Sequence, residues 1–124
     1  MRRSELEEEW RGVAHQPRSP YGPVSMEVKL SLTFVGRVLR GTFHAVFPTP
    51  GGQVRMDFDA AYDMFFERFI QLNYRSRDAG VLQFGAIVLD MDDTGKTIRG
   101  SYIGYGALSK KIVPGDVELE KVGL

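Results

Sequence analysis

Residues 26–34, MEVKLSLTF, decide the fold class of this chain. Apolar side chains occupy every second position from Met26 to Phe34, and polar side chains occupy the positions between them. An extended strand turns successive side chains to opposite faces, so this two-residue period predicts a half-buried β-strand that begins at Val24. The same alternation returns later in the chain, in the segments around Met56 and Leu72.

Seven further segments are predicted to be short strands, and most of them are separated by turn signals. The strongest of these signals are Pro48–Gly52, Asp78–Gly80 and Asp92–Gly95. No connection has room for repeated crossover helices, so the sheet should be antiparallel, and about eight meandering strands can close into a barrel. The other predicted strands are Trp10–Val13, Val38–Phe47, Val54–Asp59, Phe69–Arg75, Val81–Met91, Thr97–Tyr105 and Ile112–Val122, the last of which Pro114-Gly115 can interrupt.

Two short segments are predicted to be helical. Ser4 and Glu7 have the spacing of a capping box, which predicts a helical lead-in over residues 1–9. Asp59 can cap a helix of about two turns over Ala60–Arg68, which would form a lid across one end of the barrel. Three prolines make residues 15–23 a loop. We therefore expect one domain over residues 1–124: an all-β, small antiparallel up-and-down β-barrel of about eight strands with one or two short helices.

Composition limits the function classes. The 124 residues include 16 Lys+Arg and 16 Asp+Glu, and this neutral balance argues against nucleic acid as a partner. The absence of cysteine excludes disulfides, thiolate metal sites and cysteine nucleophiles. The most apolar stretch, Val81–Leu89, is far shorter than a membrane-spanning helix, and residues 1–9 lack the apolar core of a secretory signal. We therefore expect no membrane segment in this chain and a cytoplasmic location.

Two parts of the sequence resemble known small barrels. Trp10-Arg11-Gly12, on a first strand after a short lead-in, is similar to the lipocalin-like, or calycin, barrels. Ile98–Tyr102 followed by Gly115–Leu119 resembles the soluble barrel of the membrane-linked, β-strand-rich effectors of bacterial anti-phage (CBASS-type) nucleotide signalling. That resemblance implies an eight-stranded barrel that senses a cyclic nucleotide. The two membrane helices of that family have no counterpart in residues 1–124.

One glycine-rich segment near the end of the chain is the best candidate for ligand binding. Gly100, Gly104 and Gly106 alternate with tyrosines and would let a ligand approach the backbone closely, although such glycines are also routine in bent barrel strands. Amide and cationic groups here can bind a phosphate, and a tyrosine ring can stack on a base. The predicted ligand-binding residues are Tyr102, Tyr105, Ser109, Lys110 and Lys111, with Arg75 and Arg77 from another strand.

The remaining candidates for chemistry give no catalytic or metal site. Asp57 and Asp59 would share a strand face and can hold a divalent cation, but a solvated strand face and a helix cap explain them better. Asp90, Asp92 and Gly95 match the start of a calcium loop, but Ser101 stands where its bidentate glutamate belongs. The two histidines have no partner at a recognisable spacing, and no cofactor is implied.

Two hypotheses about function remain open. The first is a non-catalytic barrel that binds a small anionic, nucleotide-like ligand. The second is a structural or interaction domain with a filled barrel that mediates homo-oligomerisation. The second draws on the predicted strand Val81–Met91, which is apolar on both faces, since a short helix or another copy of the chain would have to cover its outer face. We therefore predict a homodimer or higher assembly. The aromatic series Tyr62, Phe65, Phe66 and Phe69 is predicted to be core rather than a cofactor site.

Overall fold

Eight antiparallel strands make up the fold. The computed structural model describes residues 7–36, 38–49, 52–65 and 68–122, and it describes the side chains of all of these except 38 and 53–65. No described residue lies in a helix. The strands are β1 Glu9–Gln16, β2 Val24–Val35, β3 Val38–Thr49, β4 Gly52–Phe65, β5 Phe69–Ser76, β6 Phe84–Met91, β7 Thr97–Gly106 and β8 Lys111–Lys121.

The strands pair in chain order and the sheet closes on itself. Each strand is antiparallel to the next, and β1 also pairs with β8, where Gly12 lies opposite Leu119. The all-β, antiparallel prediction is therefore confirmed. Because β1 and β8 pair with each other, neither of them is a free sheet edge among the described strands. Free edges are where open sheets aggregate.

The helix predicted over Ala60–Arg68 is wrong as far as Phe65. Here β4 continues as a strand, with Ala61 opposite Arg40 on β3 and Tyr62 opposite Leu72 on β5. Ladders with β5 over residues 58–65 and with β3 as far as Ala61 hold this segment extended, and its Tyr and Phe residues suit a strand as well as a helix. Residues 66 and 67 lie outside the description. Residues 1–6 of the predicted lead-in lie outside it too, and Glu9 already belongs to β1.

The barrel has two unlike ends. The connections 17–23, 77–83 and 107–110 lie at one end, which we call the open end. The turn Asp92–Lys96 and the first residues of β1 lie at the opposite end, which we call the filled end. Every large side chain that is completely buried, among those the structure describes, lies in the half nearer the filled end. These residues are Trp10, Leu30, Leu39, Ile70, Leu72, Leu89, Ile98 and Leu119.

The predicted hairpin turn at Asp92–Gly95 is confirmed. The Asp92 carboxylate accepts hydrogen bonds from the Thr94 hydroxyl and from the amides of Lys96 and Thr97. The Gly95 amide donates to the Asp92 carbonyl, and Gly95 has a φ of 72°, a conformation that favours glycine. The turn thus closes the hairpin between β6 and β7 at the filled end.

Candidate functional site

A cavity of about 80 Å³ occupies the barrel near the open end and is partly open to solvent. Most of its wall is apolar and comes from inward-facing positions of the strands. Residues 106–109, between β7 and β8, form part of the mouth. The apolar lining on the strands consists of Ala14, Met26, Val28, Phe43, Ala45, Phe47, Ile87 and Val117, and the polar lining consists of Gln16, Tyr74, Gln83, Tyr102 and Ser109.

The sequence produces this cavity by placing small side chains at inward positions. Ala14 on β1 lies on the same face as Trp10, and Ala45 on β3 lies on the same face as Leu39. The larger residue of each pair fills the barrel nearer the filled end, whereas alanine leaves space nearer the open end. Ala14 and Ala45 therefore leave space in the cavity wall between larger inward side chains such as Phe43 and Phe47.

Two tyrosines project into the barrel over glycines of neighbouring strands. The ring of Tyr102 lies over Gly115, its direct partner across β7 and β8, so closely that a β-carbon on Gly115 would overlap the ring. The hydroxyl of Tyr74 lies against Gly85 and Gly104, which are partners across β6 and β7. The Tyr74 hydroxyl therefore occupies the space that a side chain at Gly104 would need. This is a glycine at which the sequence predicted that a ligand could approach the backbone.

Burial changes the acidity of both tyrosines. It raises the pKa of Tyr74 to about 12, because the phenolate would lose its hydration. It raises the pKa of Tyr102 as well, and the nearby Tyr74 and Asp116 add to the effect. Both hydroxyls therefore remain protonated at neutral pH and can act as neutral hydrogen-bonding groups in the cavity wall.

Two glutamines complete the polar part of the wall. Gln16, only 7% exposed, accepts a hydrogen bond at Oε1 from the Tyr102 hydroxyl at 3.2 Å, and its Nε2 donates to the Arg18 carbonyl at 2.6 Å. Gln83 differs, because its Oε1 is buried and has no hydrogen-bond partner among the described residues. A buried acceptor without a donor costs about 1–3 kcal/mol. This oxygen therefore favours a bound molecule that can donate a hydrogen bond.

The structure brings together only part of the predicted ligand site. Tyr102 and Ser109 both line the cavity. Tyr105 lies on the outer surface, where its ring stacks on Phe84 with the centroids 6.0 Å apart. The four predicted cations are exposed, and none of them is part of the described lining; they are Arg75, Arg77, Lys110 and Lys111. Sequence reasoning did not identify Gln16, Tyr74 and Gln83.

Other groups with chemical potential have structural roles or lie outside the description. Asp90 forms a two-bond ion pair with Arg68, with both N–O distances 2.9 Å. His15 Nδ1 lies 2.8 Å from the Ser25 hydroxyl at an exposed position. The side chains of Asp57 and Asp59 lie outside the described part. Across the described residues, no three His, Asp or Glu side chains form a group that could hold a metal ion.

The outer face of β6 is partly apolar, as the sequence predicted. Phe84 and Val88 are 48% and 51% exposed, whereas Ile87 and Leu89 point into the barrel. The predicted helix that would cover this face is not formed over residues 60–65, which belong to β4. Self-association through this face stays a prediction.

No protein-family model matches this chain, and the comparison with curated proteins gives no match either. Among the described residues, no helix is long and apolar enough to cross a membrane.

Proposed function

We propose that this protein is a non-catalytic binding module whose barrel holds a small, largely apolar molecule with a hydrogen-bond donor. The observation that carries the proposal is the unpartnered Gln83 Oε1, which is buried in the wall of an otherwise mostly apolar cavity. Ligand pockets commonly combine an apolar wall with a few polar groups that fix orientation. The Tyr74 and Tyr102 hydroxyls are the other polar groups available for this purpose.

The size of the cavity restricts the part of a ligand that can enter. One buried water needs about 10–15 Å³, so 80 Å³ has room for a few groups of that size. A small ring or a short alkyl segment fits this space, while any larger part of the ligand would remain in the mouth near Ser109. A nucleotide would have to keep its sugar and phosphate outside the barrel.

The charge of the wall favours a neutral group inside. The described lining residues carry no charged side chain. An anion placed inside would lose hydration without an opposing charge, which is costly in an apolar environment. The nucleotide-like ligand suggested by the resemblance to anti-phage effectors would therefore depend on the exposed Lys110 and Lys111 beside the mouth.

A pair of nearly isosteric probes tests the role of Gln83. Phenol and toluene have similar shapes, but only phenol can donate a hydrogen bond to Oε1. We expect phenol to bind the native protein more tightly than toluene, as measured by NMR titration of the methyl groups of Ala14, Ile87 and Val117. A Gln83→Leu variant should reverse this preference, because it removes the acceptor and keeps an apolar side chain of similar size.

A cavity-filling variant separates binding inside the barrel from binding elsewhere. Ala45→Leu adds volume to the cavity wall and should abolish the binding of both probes. Val88→Leu is the matched control, because it enlarges an exposed side chain on the outer face. The proposal is wrong if neither probe shifts the methyl resonances of the cavity, or if Ala45→Leu leaves the shifts unchanged.

A further inference from the structure

Exposed apolar side chains are concentrated at the open end of the barrel. Leu82 is 64% exposed and Ile112 is 67% exposed, and Tyr21, Phe84 and Leu108 lie at the same end. They come from the three described connections at this end and from the first residues of β6 and β8. We call these five residues the apolar rim. Large apolar side chains gathered at one exposed site indicate a surface that contacts another apolar phase.

The same end of the barrel carries excess positive charge. We consider the described residues of its connections and of the strand ends beside them. Only Asp78 is acidic among these residues, whereas five are basic: Arg18, Arg75, Arg77, Lys110 and Lys111. The filled end is closer to balanced, with the described acidic residues Glu7, Glu8, Glu9, Asp90, Asp92, Asp93 and Glu120 against the described basic residues Arg11, Arg40, Arg68, Lys96, Arg99 and Lys121. In a chain with no net charge, the excess of positive charge is therefore found at the open end.

We propose that the open end docks onto an anionic lipid surface, with the apolar rim inserted among the lipids and the cations beside the headgroups. Basic residues near an anionic membrane surface are attracted to it, and long Lys and Arg side chains can keep their charge in the headgroup layer while their stems contact apolar groups. In this orientation the mouth of the cavity faces the lipid, and the filled end points away from it.

Charge favours a lipid surface over a second copy of the chain as the occupant. In a two-fold symmetric dimer through the open end, the same patch would face itself, and the two sets of cations would repel each other. An anionic bilayer instead complements both features of the rim, since it offers negative headgroups around an apolar interior. This inference rests on the surface of the open end and does not depend on what the cavity binds.

Vesicle co-sedimentation with the full chain tests the proposal. We expect binding to vesicles of phosphatidylcholine mixed with phosphatidylserine, weak binding to phosphatidylcholine alone, and a loss of binding as salt is raised. Lys110→Glu combined with Lys111→Glu should lower partitioning about 10-fold or more. The matched control is Lys96→Glu with Arg40→Glu, which makes the same change of charge at the filled end and should bind as the native chain does.

Two further variant pairs test the apolar part of the rim. Leu82→Ser with Ile112→Ser should weaken vesicle binding, whereas Val35→Ser at the filled end should not. Ile112→Trp places an indole in the rim, and its emission should move to shorter wavelength on phosphatidylserine vesicles, while that of Val35→Trp should not. Emission is read on protein whose circular dichroism matches the native chain, so this readout does not depend on how well the serine variants fold.

Three results would overturn the proposal. The first is binding that does not require phosphatidylserine. The second is an equal loss of binding in the filled-end control. The third is a dimer in sedimentation velocity that Leu82→Ser with Ile112→Ser dissociates, since the rim would then be an interface between copies. Phenol binding in the Lys110→Glu, Lys111→Glu variant separates this proposal from the proposed function, because the charge reversal should leave the cavity intact.

Discussion

The buried hydroxyl of Tyr74 makes the stability of this protein sensitive to alkaline pH. Its pKa is raised to about 12 in the folded chain, while an unfolded tyrosine has the ordinary value of 10.0. Between these two values the unfolded chain releases a proton that the folded chain retains. The free energy of unfolding therefore falls as pH rises, and this part of it is fully present only below about pH 10.

The size of the effect follows from the two pKa values. At pH 9 the hydroxyl is protonated in both states and contributes almost nothing to the pH dependence. At pH 11 the contribution amounts to a loss of about 1.3 kcal/mol relative to pH 9, since one pH unit across a titrating group is worth about 1.36 kcal/mol. Tyr102, whose pKa is also raised by burial, acts in the same direction.

Urea unfolding of the native chain and of Tyr74→Phe at pH 9 and pH 11 measures this contribution. The native chain should lose about 1.3 kcal/mol more than Tyr74→Phe between the two pH values. Tyr105→Phe is the matched control, because it removes the same hydroxyl from the outer surface of the barrel. Equal losses in the native chain and in Tyr74→Phe would refute the reasoning, because they would mean that the folded hydroxyl is hydrated and that the cavity holds water.

Two further predictions concern single positions. Gly115→Ala should destabilise the protein by about 1–3 kcal/mol in urea unfolding, because the added methyl overlaps the ring of Tyr102. Gly80→Ala, in an exposed turn where the added methyl meets only the Asp78 carboxylate, should cost less, and equal costs would contradict this packing. Asp92→Ala should lower the melting temperature at neutral pH, because the turn loses the acceptor for the Thr94 hydroxyl and two amides. The hydrogen bond from Thr94 also lowers the pKa of Asp92 in the folded chain, so the stabilisation is present above the ordinary pKa of 3.8 and is lost as pH falls through the folded pKa. The melting temperatures of the native chain and of Asp92→Ala should therefore converge at acidic pH. A constant difference between them down to pH 2 would contradict the assignment.

The strand predicted most directly is the one whose alternation has a single interpretation. Val24–Phe34 has a strict two-residue period, and β2, Val24–Val35, covers that whole range. Residues 60–65 could not be assigned in this way, because Tyr62 and Phe65 fit one face of a helix as well as a strand. What decides between them is the pair of neighbouring strands, since β5 pairs with β4 over residues 58–65 and β3 pairs with it as far as Ala61. This information lies in distant parts of the chain.

The candidate site could be predicted only at positions where the alternation of side chains along a strand fixes the face to which each one points. Tyr74 follows Ile70 and Leu72 at two-residue spacing, so the alternation already placed it inside the barrel. Tyr102 and Tyr105 are three residues apart on one strand, and a strand turns such residues to opposite faces. The same alternation would therefore have separated the two tyrosines. Gln83 precedes β6 in an irregular connection, and no periodicity indicates where its side chain points.

The two ends of the barrel divide stability from binding. At the filled end, Leu72, Leu89, Leu119 and their neighbours are completely buried, and truncating one such residue to alanine typically costs about 2–5 kcal/mol. At the open end, small side chains leave a cavity, and Gln83 Oε1 is buried without a partner. The filled end can offset this cost because the barrel is one closed sheet, so packing at one end maintains the geometry of the other. A mostly apolar cavity with one unpartnered buried oxygen is therefore tolerated at the open end, which is where we propose that ligand and lipid are bound.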